Sequence, residues 1–219
     1  MTPLISTIQN IILLAIPLLF AITVHEVAHG WMANRLGDPT AKMLGRLTLN
    51  PIKHIDPVGT ILVPAVLYYL GGFIFGWAKP VPITWQNLKN PRRDTALVAV
   101  AGPLANFGMM LLWAIFAKIL VVTKGDSAGA TIQALISMCE IGIFINIVLL
   151  ILNLFPIPPL DGSRVVSSFL PGPVAYQYNK LESVGFLILL VLLATGLLGR
   201  ILTPLIINLQ TGIYTLFNL

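Results

Sequence analysis

The sequence predicts an all-α polytopic membrane protein carrying a small membrane-associated β element and one re-entrant segment. Composition is the first reason. Of 219 residues, 57% are hydrophobic and 10% charged, and the mean hydropathy is +0.90. Soluble domains average about 45–50% apolar and about 25% charged residues. Run length is the second. Several apolar stretches reach the roughly 18 residues that read as a spanning helix. A lone cysteine, Cys139, excludes an internal disulfide and a cysteine-based metal knuckle. The net charge of +5 suits basic cytoplasmic loops. No aromatic-basic interleaving accompanies it, so nucleic acid is not an expected partner.

Each element follows from local signals. The first apolar segment covers 4–36 and is stopped by Gly37, Asp38 and Pro39. No Lys or Arg precedes it and no A-x-A cleavage site follows, so it reads as a retained span. Residues 37–57 are turn-rich, with the β-compatible piece MLGRLTLNP. Segment two, 57–78, is broken by Pro64 and by Gly71-Gly72. The prolines of KPVPITWQNLKNPRRD fit an edge strand or loop. Segment three covers 94–122 and contains AGPLANF; segment four covers 131–155 and runs into NLFPIPPLDGSR. The last stretch, 184–219, is interrupted by Gly199-Arg200 and reads as one span plus an interfacial helix, or as a helical hairpin. The whole chain, 1–219, reads as one domain with its core over 4–170.

Chemistry first appears in HEVAHG at the end of segment one. His25 and His29 are four apart, which puts both imidazoles on one helix face. Two such rings can grip one Zn²⁺. Glu26, next to the first ring, is then placed to deprotonate water rather than to bind the metal. Ionisable groups at membrane depth are functional by default. The alternative has the three groups pairing with one another or with Arg35. A site of this type needs one more ligand and an open position. Asp38, His54, Asp56, Glu140 and Asp161 are the candidates. Asp161 follows Pro156, Pro158 and Pro159, which cannot continue a helix. The backbone they free is tolerated at membrane depth only inside protein or a wet cavity. A plain capping aspartate for a helix starting near Ser163 is the alternative.

HEVAHG in an early segment, AGPLANF in a middle one and NLFPIPPLDGSR closing a later one resemble the site-2 protease family, peptidase family M50. These are intramembrane zinc metalloproteases. With LNPIKHIDPVGT and FGWAKPVPI, the chain is most similar to the short subgroup without a PDZ insertion. The resemblance implies one zinc per chain held by His25, His29 and Asp161, with Glu26 as general base. It implies that Asn153 holds substrate or stabilises the transition state. Transmembrane proteins are the implied substrates and the bilayer the implied surroundings.

Topology follows from parity. Both ligand sets lie at the C-terminal ends of their segments, so segments one and four cross in the same direction with an odd number of crossings between. Segment three supplies one crossing, so segment two must be accompanied by a further crossing, or dip in and return. That arrangement gathers Arg35, Lys42, Arg46, Lys53, Lys79, Lys89, Arg92, Arg93, Arg164 and Lys180, ten of the thirteen basic residues, on one face. Lys124 lies opposite. The basic face is cytoplasmic by the positive-inside rule. The expected location is the cell membrane, with the N-terminus outside and the site toward the cytoplasm.

Other polar residues carry weaker expectations. His54 is a candidate for substrate or oxyanion contact, a metal ligand, or a plain loop histidine. Asn106 is a candidate contact to the active-site helix or substrate, although small neighbours also suit close helix packing. Asn146 and Asn153, seven apart, share a face turned toward the protein. Glu140 reads as interfacial, and Trp31, Trp77 and Trp85 as an interface belt. The expected reaction is hydrolysis within or beside a transmembrane helix, with substrate adding as a strand beside FGWAKPVPI. A metal or proton transporter and a metal-free scaffold are the competing readings.

Overall fold

A computed structural model describes residues 3–69, 76–123 and 129–219. In chain order, α1 covers Pro3–Leu36, α2 Thr40–Met43, α3 Val63–Tyr69, α4 Pro91–Thr123 and α5 Ala130–Asn153. Then come α6 (Asp161–Phe169), α7 (Gly172–Lys180), α8 (Glu182–Ala194) and α9 (Leu197–Phe217). Among the described residues there is no strand. Residues 76–84, expected as an edge strand or loop, run without regular structure, and so do 46–50 within the β-compatible piece. The protein is all-α over what is described.

Among the described residues, three helices are long and apolar enough to cross a membrane: α1 over Gln9–Leu36, α4 and α5. The α7–α8 pair, bent by 57°, would make a fourth if it acts as one span. Together with its family, described below, this makes the chain a multi-pass membrane protein. The outer faces carry exposed Ile12, Phe20, Leu112, Phe116 and Phe144, as lipid-facing surfaces require. Inside, Met110 and Ala114 of α4, Ile143 and Ile147 of α5 and Ile213 of α9 form a buried cluster.

The helix ends have identifiable causes. Gly37 takes a φ of +117°, and the Asp38 amide reaches back to the Ala33 carbonyl at 2.9 Å, which closes α1 with a left-handed glycine cap. The C-terminal break lies at Gly196 (φ +71°), three residues before the expected Gly199-Arg200, which sits inside α9. Gly196 supplies the positive φ that ends α8, whereas Gly199 has helical neighbours on both sides.

Segment two begins with a π-helical turn, Pro57–Leu62, and continues into α3. Its two ends are adjacent. The Trp77 amide donates to the Gly59 carbonyl at 3.1 Å, and Thr60 Oγ1 donates to the Trp77 carbonyl at 2.8 Å. Gly71-Gly72, the expected turning point, and Lys124, expected on the opposite face, lie outside the described residues.

Candidate metal centre

The site forms where α1, α4 and the start of α6 meet. His25 and His29 project from one face of α1 with ring centroids 4.6 Å apart. Asp161 is the first residue of α6, delivered by the Pro156–Pro159 turn that follows α5. Gly162 is required there, because a Cβ would strike the Leu154 and Phe155 backbone. His25 and His29 of α1 and Asp161, which follows α5, come together in one group, and α4 lies against both α1 and α5.

His25 Nε2 and His29 Nε2 are 3.0 Å apart, and Asp161 Oδ2 lies 3.3 Å from the first and 3.2 Å from the second. Both histidines are buried. The other ring nitrogens are engaged. His29 Nδ1 donates to the Val98 carbonyl at 2.7 Å, and His25 Nδ1 donates to Asn106 Oδ1 at 2.6 Å. With both rings neutral, each then turns an unprotonated Nε2 toward the other. Two lone pairs and a carboxylate oxygen converge with no donor among them, and Asp161 Oδ2 is buried without a hydrogen-bond donor. A cation fits this arrangement. A tetrahedron with arms of about 2.0–2.1 Å has edges of about 3.3–3.4 Å, close to the separations found.

One stripe of α4 builds the wall behind the rings. Val98, Gly102 and Asn106 are four apart and share a face. A Cβ on Gly102 would collide with both imidazoles, 2.6 Å from Cε1 of each. Glu26 Oε2 accepts the Val81 amide at 2.7 Å. Val81 is buried, and its side chain lies against Gly30 beside Leu47. Arg46 Nη2 holds the Lys79 carbonyl at 3.0 Å and the Pro80 carbonyl at 3.4 Å, and the Lys79 amide donates to the His54 carbonyl at 2.9 Å.

Other candidates lie elsewhere. His54 is buried, with Nε2 donating to the Thr48 carbonyl at 2.9 Å, and it is outside the three-residue ligand group. Asp56 accepts from the Val58 and Gly59 amides and caps the π-helical turn. Asp38 accepts from Thr40, Thr84 and Asn87 and ties the end of α1 to the loop before α4. Glu140 is exposed on α5. Arg35 lies over the Trp31 ring at 5.0 Å instead of pairing with HEVAHG. Asn153 donates to the Leu149 carbonyl of its own helix at 3.0 Å. Among the described residues it has no hydrogen bond to the histidines or Asp161. Sequence reasoning did not identify the Val98 carbonyl, the Val81 amide or Arg46. Only the four-residue spacing of Val98, Gly102 and Asn106 was available as a signal.

Comparison with known proteins points to one family. A sequence model of "Peptidase family M50" matches residues 116–194, which include Asp161. "Putative zinc metalloprotease YwhC" of Bacillus subtilis (strain 168) is 39% identical over 206 residues, covering 94% of this chain and 90% of that protein. "Putative zinc metalloprotease Rip2" of Mycolicibacterium smegmatis is 32% identical over 83% of this chain and 66% of that protein. The Mycobacterium tuberculosis (strain H37Rv) protein of that name is 31% identical over 66% of this chain and 52% of its own length. No solved structure matches the chain. With similarity to YwhC extending over nearly the full length of both proteins, the chain belongs to peptidase family M50, the site-2 proteases, and is a hydrolase that cleaves peptide bonds.

Proposed function

We propose that the protein hydrolyses peptide bonds within or beside transmembrane segments of other membrane proteins, using one zinc ion per chain held by His25, His29 and Asp161. The convergence of two unprotonated Nε2 atoms and an undonated carboxylate oxygen carries this reading. The names of the relatives make zinc the metal of choice. Bound there, zinc supplies Lewis-acid activation of water near neutral pH.

The chain's own residues divide the remaining work. Glu26 accepts the proton of the attacking water and delivers it to the leaving amine nitrogen. The Val81 amide engages Oε2, so Oε1 is the oxygen left for that task. Asn106 holds the His25 ring in the tautomer that leaves Nε2 free. Asn153, one turn-rich stretch before Asp161, contacts substrate or the developing oxyanion when substrate is present. The His54 carbonyl accepts the Lys79 amide, which places His54 beside the segment where substrate would lie. Substrate unwinds and lies extended beside 79–83.

The surroundings belong to the same proposal. The whole chain acts as one domain in the cell membrane, with the N-terminus outside and the site toward the cytoplasm. The adjacency of Gly59 and Trp77 supports a segment that enters and returns on one side. The test is reconstitution in liposomes with a panel of single-span substrates, comparing wild type with Glu26→Gln and measuring zinc in both. Cleavage by wild type alone, with zinc in both, is expected. Cleavage by Glu26→Gln at the wild-type rate would remove Glu26 from the mechanism.

A further inference from the structure

Behind His25 the polar contacts do not stop at Asn106. Asn106 Nδ2 donates to Asn146 Oδ1 of α5 at 2.9 Å, and Asn146 Nδ2 donates to the Gly142 carbonyl at 2.8 Å. Asn106 and Asn146 are both fully buried between apolar helix faces. We propose that Asn146 is a positioning residue for the metal centre, fixing through Asn106 which nitrogen of His25 is free to bind the ion.

The direction of every bond in this chain is dictated from its far end. A helix carbonyl can only accept, so Asn146 must turn its NH₂ toward Gly142. Its oxygen then faces Asn106 and can only accept. Asn106 must therefore present NH₂ to Asn146 and its own oxygen to His25. That oxygen in turn requires an N–H at His25 Nδ1, which leaves Nε2 as a lone pair. A weaker contact, from Asn106 Nδ2 to the Ala21 carbonyl at 3.3 Å, points the same way. Without Asn146 that longer bond alone would oppose an amide flip. A flipped Asn106 would offer N–H to His25 Nδ1, move the ring proton to Nε2 and close that ligand position.

The chain also links the two ligand-bearing helices. His25 belongs to α1, and α5 leads directly into the turn that delivers Asp161. Asn146 and Asn106 are the buried polar side chains that join α5, α4 and α1 by hydrogen bonds at this level. Groups beyond a metal ligand typically change metal affinity about 10–100-fold when removed.

This inference rests on the zinc reading above, and its test separates the two. Zinc affinity is measured by chelator competition on the full chain in nanodiscs, for wild type, Asn146→Leu, Asn106→Leu and the double variant. The melting temperature of each zinc-free protein is recorded alongside. Asn146→Leu keeps the branching at Cγ and removes the acceptor, and the melting temperature reads out the cost of its larger side chain. It is expected to weaken zinc binding about tenfold in the wild-type background and not at all in the Asn106→Leu background. Asn146→Asp, neutral at this depth, offers one acceptor and one O–H donor in the same places and is expected to restore near-wild-type affinity. Equal weakening in both backgrounds, or wild-type affinity for Asn146→Leu, overturns the positioning role while leaving the zinc site standing. Wild-type protein that binds no zinc overturns both.

Discussion

The Val81 amide and the Glu26 carboxylate meet at 2.7 Å, 55 residues apart in sequence. Val81 is the one residue of the Pro80–Val81–Pro82 triplet that has an N–H to give. The flanking prolines restrict the backbone and remove competing donors, and Arg46 clamps the carbonyls just before. Hydrogen bonds to charged groups are worth about 1.5–3 kcal/mol. Val81→Pro deletes the donor together with the Val side chain, and is expected to lower kcat by about tenfold or more with zinc content unchanged; Val81→Ala controls for the lost side chain. Val81→Ala keeps the N–H and should retain most of kcat while losing packing stability against Gly30. Single-turnover cleavage and zinc analysis of the two variants check this, and equal kcat in both would remove the amide from Glu26 positioning.

Gly102 predicts a sharp positional contrast on α4. A Cβ there would overlap both imidazoles, whereas one on Gly108 would meet open space. Gly102→Ala should abolish zinc binding and cleavage. Gly108→Ala, on the same helix, should keep both and gain up to about 1 kcal/mol from helix propensity. Zinc content and thermal unfolding of the two proteins read out the difference.

Asp38 predicts a pH-dependent contribution to stability. Burial pushes its carboxyl up, but hydrogen bonds from the Thr40 hydroxyl, the Asn87 amide group and the Thr84 and Thr40 backbone amides outweigh that and hold it below its usual 3.8. A depressed folded-state pKa stabilises above the unfolded value, and that stability is lost as pH falls through the folded value. Asp38→Asn should therefore destabilise by about 1–3 kcal/mol at neutral pH. The gap between variant and wild type should narrow below about pH 4. Melting curves across that range test it, and a gap independent of pH would contradict it.

How much of this was legible in the sequence differs by residue. His25 and His29 follow from a spacing that any helix converts into a shared face. Three prolines and Gly162 made Asp161 a candidate, but the same stretch also suited a helix-capping aspartate, and the family resemblance chose between the two. Asn106 was visible only as an alternative to packing, because its partner His25 lies 81 residues away. Asn146 was correctly turned inward by its spacing from Asn153, yet nothing local named Asn106 as its partner. KPVPI has strand-like composition, but a strand needs a partner ladder. Among the described residues its amides go to Glu26 and to the His54 carbonyl instead. The final break was misread because two glycines stand three apart, and only the backbone shows that Gly196 takes the left-handed turn.

The most direct measurement is the zinc content of the purified full-length protein and of Asp161→Ala, by elemental mass spectrometry after removal of loosely held metal. About one zinc per chain is expected in the wild type and in Glu26→Gln, with almost none in Asp161→Ala, His25→Ala or His29→Ala. A folded Asp161→Ala protein that retains its full complement of zinc would contradict the account.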